Sequence, residues 1–191
     1  MFFNYNKLTI IKREGKTVNK FIRCVWYLAI TSVVGFVMGR IIPKKWFTWE
    51  SFPWHPLKFE KDGTLYAKLK VKKWQSKVPD MSKLFKKLMP PKAIKKLPAA
   101  NDLKIMLRET CVAEFVHCWL CLASLHCIRI MGGIGGIIVS LLYILGNIPF
   151  IIIQRYNRPR LNKLLLKYEH CASNTAQSLI PADRQTQTKP I

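Results

Sequence analysis

From Ile130 to Gln154 the chain carries no charged side chain. A helix rising about 1.5 Å per residue crosses the roughly 30 Å of bilayer hydrocarbon in about 20 residues. A run this long therefore predicts a membrane span. Pro149 near its C-terminal end should kink the helix and release a backbone carbonyl, with Asn147 close enough to help satisfy the break. A second apolar segment, 109–129, precedes it. Arg129 and the cluster Gly132-Gly133-Ile134-Gly135-Gly136 between them suit a tight hairpin turn. A third segment is uncharged from Cys24 to Gly39, flanked by Arg23 and Arg40. With Ile41 and Ile42 it is just long enough to span, and it reads as an uncleaved signal-anchor because no small-x-small cleavage site follows.

Half the residues are hydrophobic, yet 32 Lys and Arg stand against 10 Asp and Glu, a net charge of +22. The two properties coexist because they are segregated along the chain. A basic N-terminal arm (1–20) precedes the first apolar segment (21–42), and a basic interfacial segment follows (43–108). A helical hairpin with a basic C-terminal region (109–171) leads to a polar, aperiodic tail (172–191) that composition predicts to be disordered. Basic charge beside lipid-length segments points to an anionic lipid surface or a phosphorylated substrate at that surface, not to nucleic acid.

Between Pro43 and Glu109 lie seventeen basic and six acidic residues. Residues 64–74 alternate apolar and basic side chains after an Asp62-Gly63 turn signal, which predicts partly β structure over 46–74. Trp46, Trp49, Trp54, Tyr66 and Trp74 suit the headgroup layer. Ser82 to Lys96 reads as a basic amphipathic helix broken by Pro90-Pro91. The expected fold class is mainly α and integral to the membrane, with two to three spans and a basic interfacial α+β segment between the first and second apolar segments.

Arg155, Arg158, Arg160, Lys163 and Lys167 directly after the last span predict a cytoplasmic side there. The central segment then shares that side. A spanning first segment would leave the basic arm outside, so either that segment is re-entrant or interfacial, or the charge rule is broken there. Oligomeric state is left open.

On the helix through 109–129, positions 107, 110, 111, 114, 117, 118, 121 and 124 share one stripe. Seven of these eight residues are polar or small, as a helix-packing seam requires. A seam does not require a carboxylate, which costs roughly 2.5–3.5 kcal/mol in hydrocarbon. Glu114 and His117 lie one turn apart and can hydrogen-bond, fixing one imidazole tautomer as a general base needs. Glu109 is a second candidate acid or a solvated helix-end charge. Cys118-Trp-Leu-Cys121 with His117, His126 and Cys127 cannot converge on one ion, because His126 sits half a turn round from His117, so no metal is expected. The six cysteines read as free, small hydrophobes.

QRYNRPRL (154–161) places three guanidiniums at the end of a span. They can snorkel to headgroups or bind phosphate in bidentate fashion, and Asn157 with Pro159 predicts a defined, non-helical shape. Arg155, Asn157, Arg158 and Arg160 are candidate substrate-binding residues, together with Trp74 at the headgroup layer and Asp80 beyond it. Asp80 also reads as a second acid or as a local ion-pair partner.

The elements FEKDG (59–63), VKKW (71–74), Asp80, ETCVAEFVHCW (109–119) and NIPFIIIQRYNRPRL (147–161) resemble the glycosyl-4,4'-diaponeurosporenoate acyltransferase family over roughly 45–165. The resemblance implies transfer of a fatty acyl group from a thioester to a sugar hydroxyl on a membrane glycolipid. The residues it matches are Glu109, Glu114, His117, Arg155, Asn157, Arg158 and Arg160. The expected mechanism is direct: His117 deprotonates the acceptor hydroxyl, Glu114 steadies the imidazole, and the arginines hold donor phosphates or the oxyanion. No cofactor is expected beyond an acyl-CoA-type co-substrate. The alternative is a non-enzymatic membrane adaptor that binds anionic lipid or an acidic partner through its basic central segment.

Overall fold

The computed structural model describes residues 2–78 and 100–178, with side chains for 14–60, 64–78 and 100–174. Asp80, the expected basic helix at 82–96 and the chain beyond Ser178 lie outside the described residues. The helices are α1 (Phe2–Ile41), α2 (Thr64–Lys68), α3 (Val71–Trp74), α4 (Ala100–Ser124), α5 (His126–Met131) and α6 (Gly133–Ser178). Three stretches are long and apolar enough to cross a membrane: Glu14–Ile41, Ala100–Met131 and Gly133–Asn174.

The second half of α1 runs antiparallel to α4 and α5. Lys20 Nζ donates to the Met131 carbonyl near one end, Tyr27 Oη donates to the Ala123 carbonyl at 3.0 Å further along, and Lys44 pairs with Glu109 just past the other end. Close approach is set by Gly35 and Gly39, one turn apart. A Cβ at Gly35 would stand 3.1 Å from Leu120 Cδ2, and one at Gly39 would stand 3.3 Å from Val116 Cγ2. Small residues at this spacing let two helix backbones meet without a hydrophobic driving force from water.

α6 folds back on α4 from the glycine turn, where Gly132 and Gly133 take φ of +74° and +56°. A Cβ at Gly136 would lie 2.6 Å from Ile128 Cα, so only glycine permits the hairpin to close. Ser140 Oγ then donates to the Ser124 carbonyl at 2.8 Å, and Lys104 meets Glu169 near the far end. The basic arm and the glycine turn thus share one end of the bundle; residues 43–78 and the arginine cluster share the other. Trp26, Val33, Ile41, Leu142 and Leu145 are exposed around it, and lipid is the solvent that suits them.

The first apolar segment, left open above between a span and a re-entrant or interfacial piece, belongs to one continuous helix that packs on α4 and α5. Three expectations are corrected. Residues 46–74 hold no strand: 3-10 turns at Lys44–Trp46 and Lys58–Gly63 lead into α2 and α3, so the α+β description fails. Helical turns satisfy backbone groups locally, whereas a strand needs a neighbour. Lys70 in the left-handed region (φ 53°) separates the two short helices. QRYNRPRL is helical, because α6 passes through both Pro149 and Pro159 without ending. Residues 172–178, assigned to the tail, continue that helix.

Candidate functional site

Proline inside α6 leaves the arginines on a regular helix, so Arg155 and Arg158 lie three residues apart on one face. Both reach α4. Arg155 Nε donates to Glu114 Oε1 at 2.6 Å, and Arg158 Nη2 donates to Glu114 Oε2 at 2.5 Å. Both oxygens of the buried carboxylate are therefore held, and by two different guanidiniums.

The second carboxylate comes from the loop-side segment. Arg155 Nη1 donates to Glu60 Oε1 at 2.6 Å and its Nη2 to the Pro53 carbonyl at 2.9 Å. Glu60 also accepts from the Tyr66 hydroxyl at 2.6 Å and from the Leu57 backbone N–H at 3.0 Å. Arg158 completes its fork on the Trp54 carbonyl (2.7 Å) and Thr110 Oγ1 (3.1 Å), and it lies over the Trp54 ring. Two positive and two negative groups cancel. Glu60, Glu114 and Arg158 are each 3% exposed, a burial tolerable only because every charge meets an opposite one and added hydrogen bonds. Burial, the bond to Glu60 and the charge of Glu60 all hold the Tyr66 hydroxyl well above its ordinary pKa, so it stays a donor.

One turn along α4 the environment changes. His117 is half-buried, stacks on Phe150 at 4.7 Å with planes 11° apart, and has Nδ1 2.9 Å from Asn147 Oδ1. The expected Glu114–His117 hydrogen bond is replaced: the arginines on α6 engage both carboxylate oxygens, and Asn147 on the same helix takes the imidazole. Asn147 serves that contact and the Tyr143 carbonyl, not the break at Pro149.

The remaining candidates are distributed around this core. Glu109 pairs with Lys44 at the bundle's end, away from the imidazole's hydrogen bond. Arg155 and Arg158, expected to grip substrate, tie α4, α6 and the loop-side segment together. Arg160 is exposed, with Nη1 2.9 Å from the Tyr156 hydroxyl. Asn157 is half-buried on α6. Trp74 packs against Tyr66, Val71 and Tyr156 and donates from Nε1 to the Leu69 carbonyl at 3.1 Å. The residues that sequence reasoning missed are Glu60 and Asn147. Glu60 was visible as the acid in FEKDG, but nothing local to it announces a partner 95 positions away.

A family model described as glycosyl-4,4'-diaponeurosporenoate acyltransferase matches residues 43–167, a span that holds both the ion network and the His117 layer. The chain is 30% identical over 159 residues to the glycosyl-4,4'-diaponeurosporenoate acyltransferase of Staphylococcus aureus strain bovine RF122 / ET3-1, covering 78% of this chain and 93% of that one. The proteins of that name from strains N315 and USA300 match with the same identity and coverage. No solved structure matches.

Proposed function

The chain belongs to the glycosyl-4,4'-diaponeurosporenoate acyltransferase family, and from that premise we propose that it moves a fatty acyl group from a CoA-type thioester to a sugar hydroxyl of a membrane glycolipid, a glycosylated carotenoid being the acceptor class named for its relatives. Membership as an acyltransferase displaces the adaptor reading. The loop-side end of the bundle faces the cytoplasm, where a water-borne thioester arrives while the acceptor comes from the bilayer.

The observation that carries the reading is His117, half-buried one turn from a fully paired ion network. With Nδ1 held by Asn147, Nε2 takes the proton of the acceptor hydroxyl. The oxygen attacks the thioester carbonyl, and the tetrahedral intermediate collapses with loss of the thiolate, which recovers the proton from the imidazolium. Glu114, Arg155, Arg158 and Glu60 keep α4 and α6 in register so that the base is placed. Arg160 and the exposed Lys72 and Lys73 of α3 meet the phosphates of the donor, since their charges face outward.

Purified protein in lipid nanodiscs, given labelled acyl-CoA and a glycosylated carotenoid, is expected to form the ester. His117→Ala should lower kcat on the order of 10²–10⁴-fold while the protein remains folded. Undiminished transfer in that variant would remove His117 from the reaction, and transfer only from a non-CoA donor would correct the donor class.

A further inference from the structure

Asn147 is 8% exposed on α6 and bonds in two directions. Its Nδ2 donates to the Tyr143 carbonyl at 2.9 Å, one turn back on the same helix. The nitrogen end of the amide is thereby committed, and Oδ1 is the end that faces His117 Nδ1 at 2.9 Å. An amide oxygen only accepts, so the imidazole nitrogen opposite it must carry the proton. The other ring nitrogen, Nε2, is then left with its lone pair.

The ring plane is set independently of that bond. Phe150, three residues further along α6, stacks on the imidazole nearly parallel. Rotation of His117 is opposed by the stack and its tautomer is chosen by the amide. The Asn147 layer is also anchored to α1. Ser32 Oγ donates its one proton to the Leu28 carbonyl at 2.7 Å, so it accepts from the Tyr143 hydroxyl at 2.8 Å. Tyr143 thus holds α1 with its side chain and Asn147 with its backbone.

We propose that Asn147 is the positioning residue of the acyl transfer, holding His117 as the Nδ1–H tautomer so that Nε2 is presented as the base. A polar contact serving only to join two helices would select the same tautomer, but its loss would lower stability and leave the kcat of the folded enzyme unchanged. The inference rests on the reading of His117 as the base, and its test separates the two. Nitrogen-15 NMR of ring-labelled protein in nanodiscs, with His117 assigned by comparison with His117→Gln, reports the tautomer whatever the reaction. The expected result is a protonated Nδ1 and a bare Nε2 in the neutral ring. The reverse pattern overturns the proposal.

Kinetics give the second arm. Asn147→Leu is expected to lower kcat on the order of 10²-fold with KM for donor and acceptor changed less than about twofold. Asn147→Asp should recover most of that loss, because a protonated carboxyl both accepts from Nδ1–H and donates to the Tyr143 carbonyl. A folded Asn147→Leu variant with wild-type kcat, or an Asp variant as slow as Leu with its neutral ring still Nδ1-protonated, overturns the positioning role. If the NMR pattern is as expected but His117→Ala transfers normally, the failure lies with the base and not with the tautomer.

Discussion

At Glu114 each carboxylate oxygen meets its own guanidinium, whereas one turn later His117 has, among the described residues, one hydrogen-bond partner and is half-buried. Both residues occupy the stripe of α4 that faces α6. The first layer draws on α4, α6 and the segment 43–78, so removing any member strands a buried charge. The second draws on α6 for a hydrogen bond and a stacked ring, interactions that orient a group without neutralising it. The difference teaches that buried charge in this chain marks the frame, and the proposed reaction is assigned to the imidazole beside it.

The largest expected effect on that contrast comes from Arg158→Met, which leaves Glu114 buried with one guanidinium and should destabilise the protein by about 3–5 kcal/mol. Thermal melting in nanodiscs checks it. Arg158→Lys should recover little, since an ammonium cannot reproduce the fork to Glu114, Thr110 and Trp54. Equal melting of Arg158→Met and His117→Ala would erase the distinction between the layers.

A smaller effect is expected from Glu60→Gln, at about 1–3 kcal/mol, because the amide keeps an acceptor for Tyr66 but loses the charge facing Arg155. Below that comes the alkaline limb of stability. Tyr66 has a folded pKa raised above its unfolded value of about 10. Its contribution is complete below that pH and declines as pH rises above it, since the unfolded state then releases the proton first. Melting measured across that range should fall more steeply for wild type than for Tyr66→Phe, and parallel curves would remove Tyr66 from the network.

The smallest change should come from Lys104→Ala. That ion pair with Glu169 is nearly half exposed, and its loss should shift stability by less than about 1 kcal/mol. It is the control that separates buried from solvated charge at the same end of the bundle.

The apolar segments were legible because lipid burial is read along one dimension: an uncharged run of sufficient length needs no partner to be recognised. Glu114 and His117 stood out for the same reason, as polar groups inside such a run. The segment 46–74 was misread because imperfect alternation over a few residues suits a strand or a helical turn, and packing on α6 decided between them. Glu114 was placed on the correct face, yet its partners were missed, because a helix wheel shows which residues share a face and not what that face meets.

By itself the sequence determined the three apolar helices, the hairpin at the glycines, the basic end and the family, all properties carried by local runs and motifs. Tertiary structure alone decided that Arg155 and Arg158 clamp Glu114 and Glu60, and that Asn147 takes His117. These contacts join residues 30 to 95 positions apart. Which of several buried donors and acceptors pair depends on helix register, and register follows from how closely the glycines and serines let the helices approach.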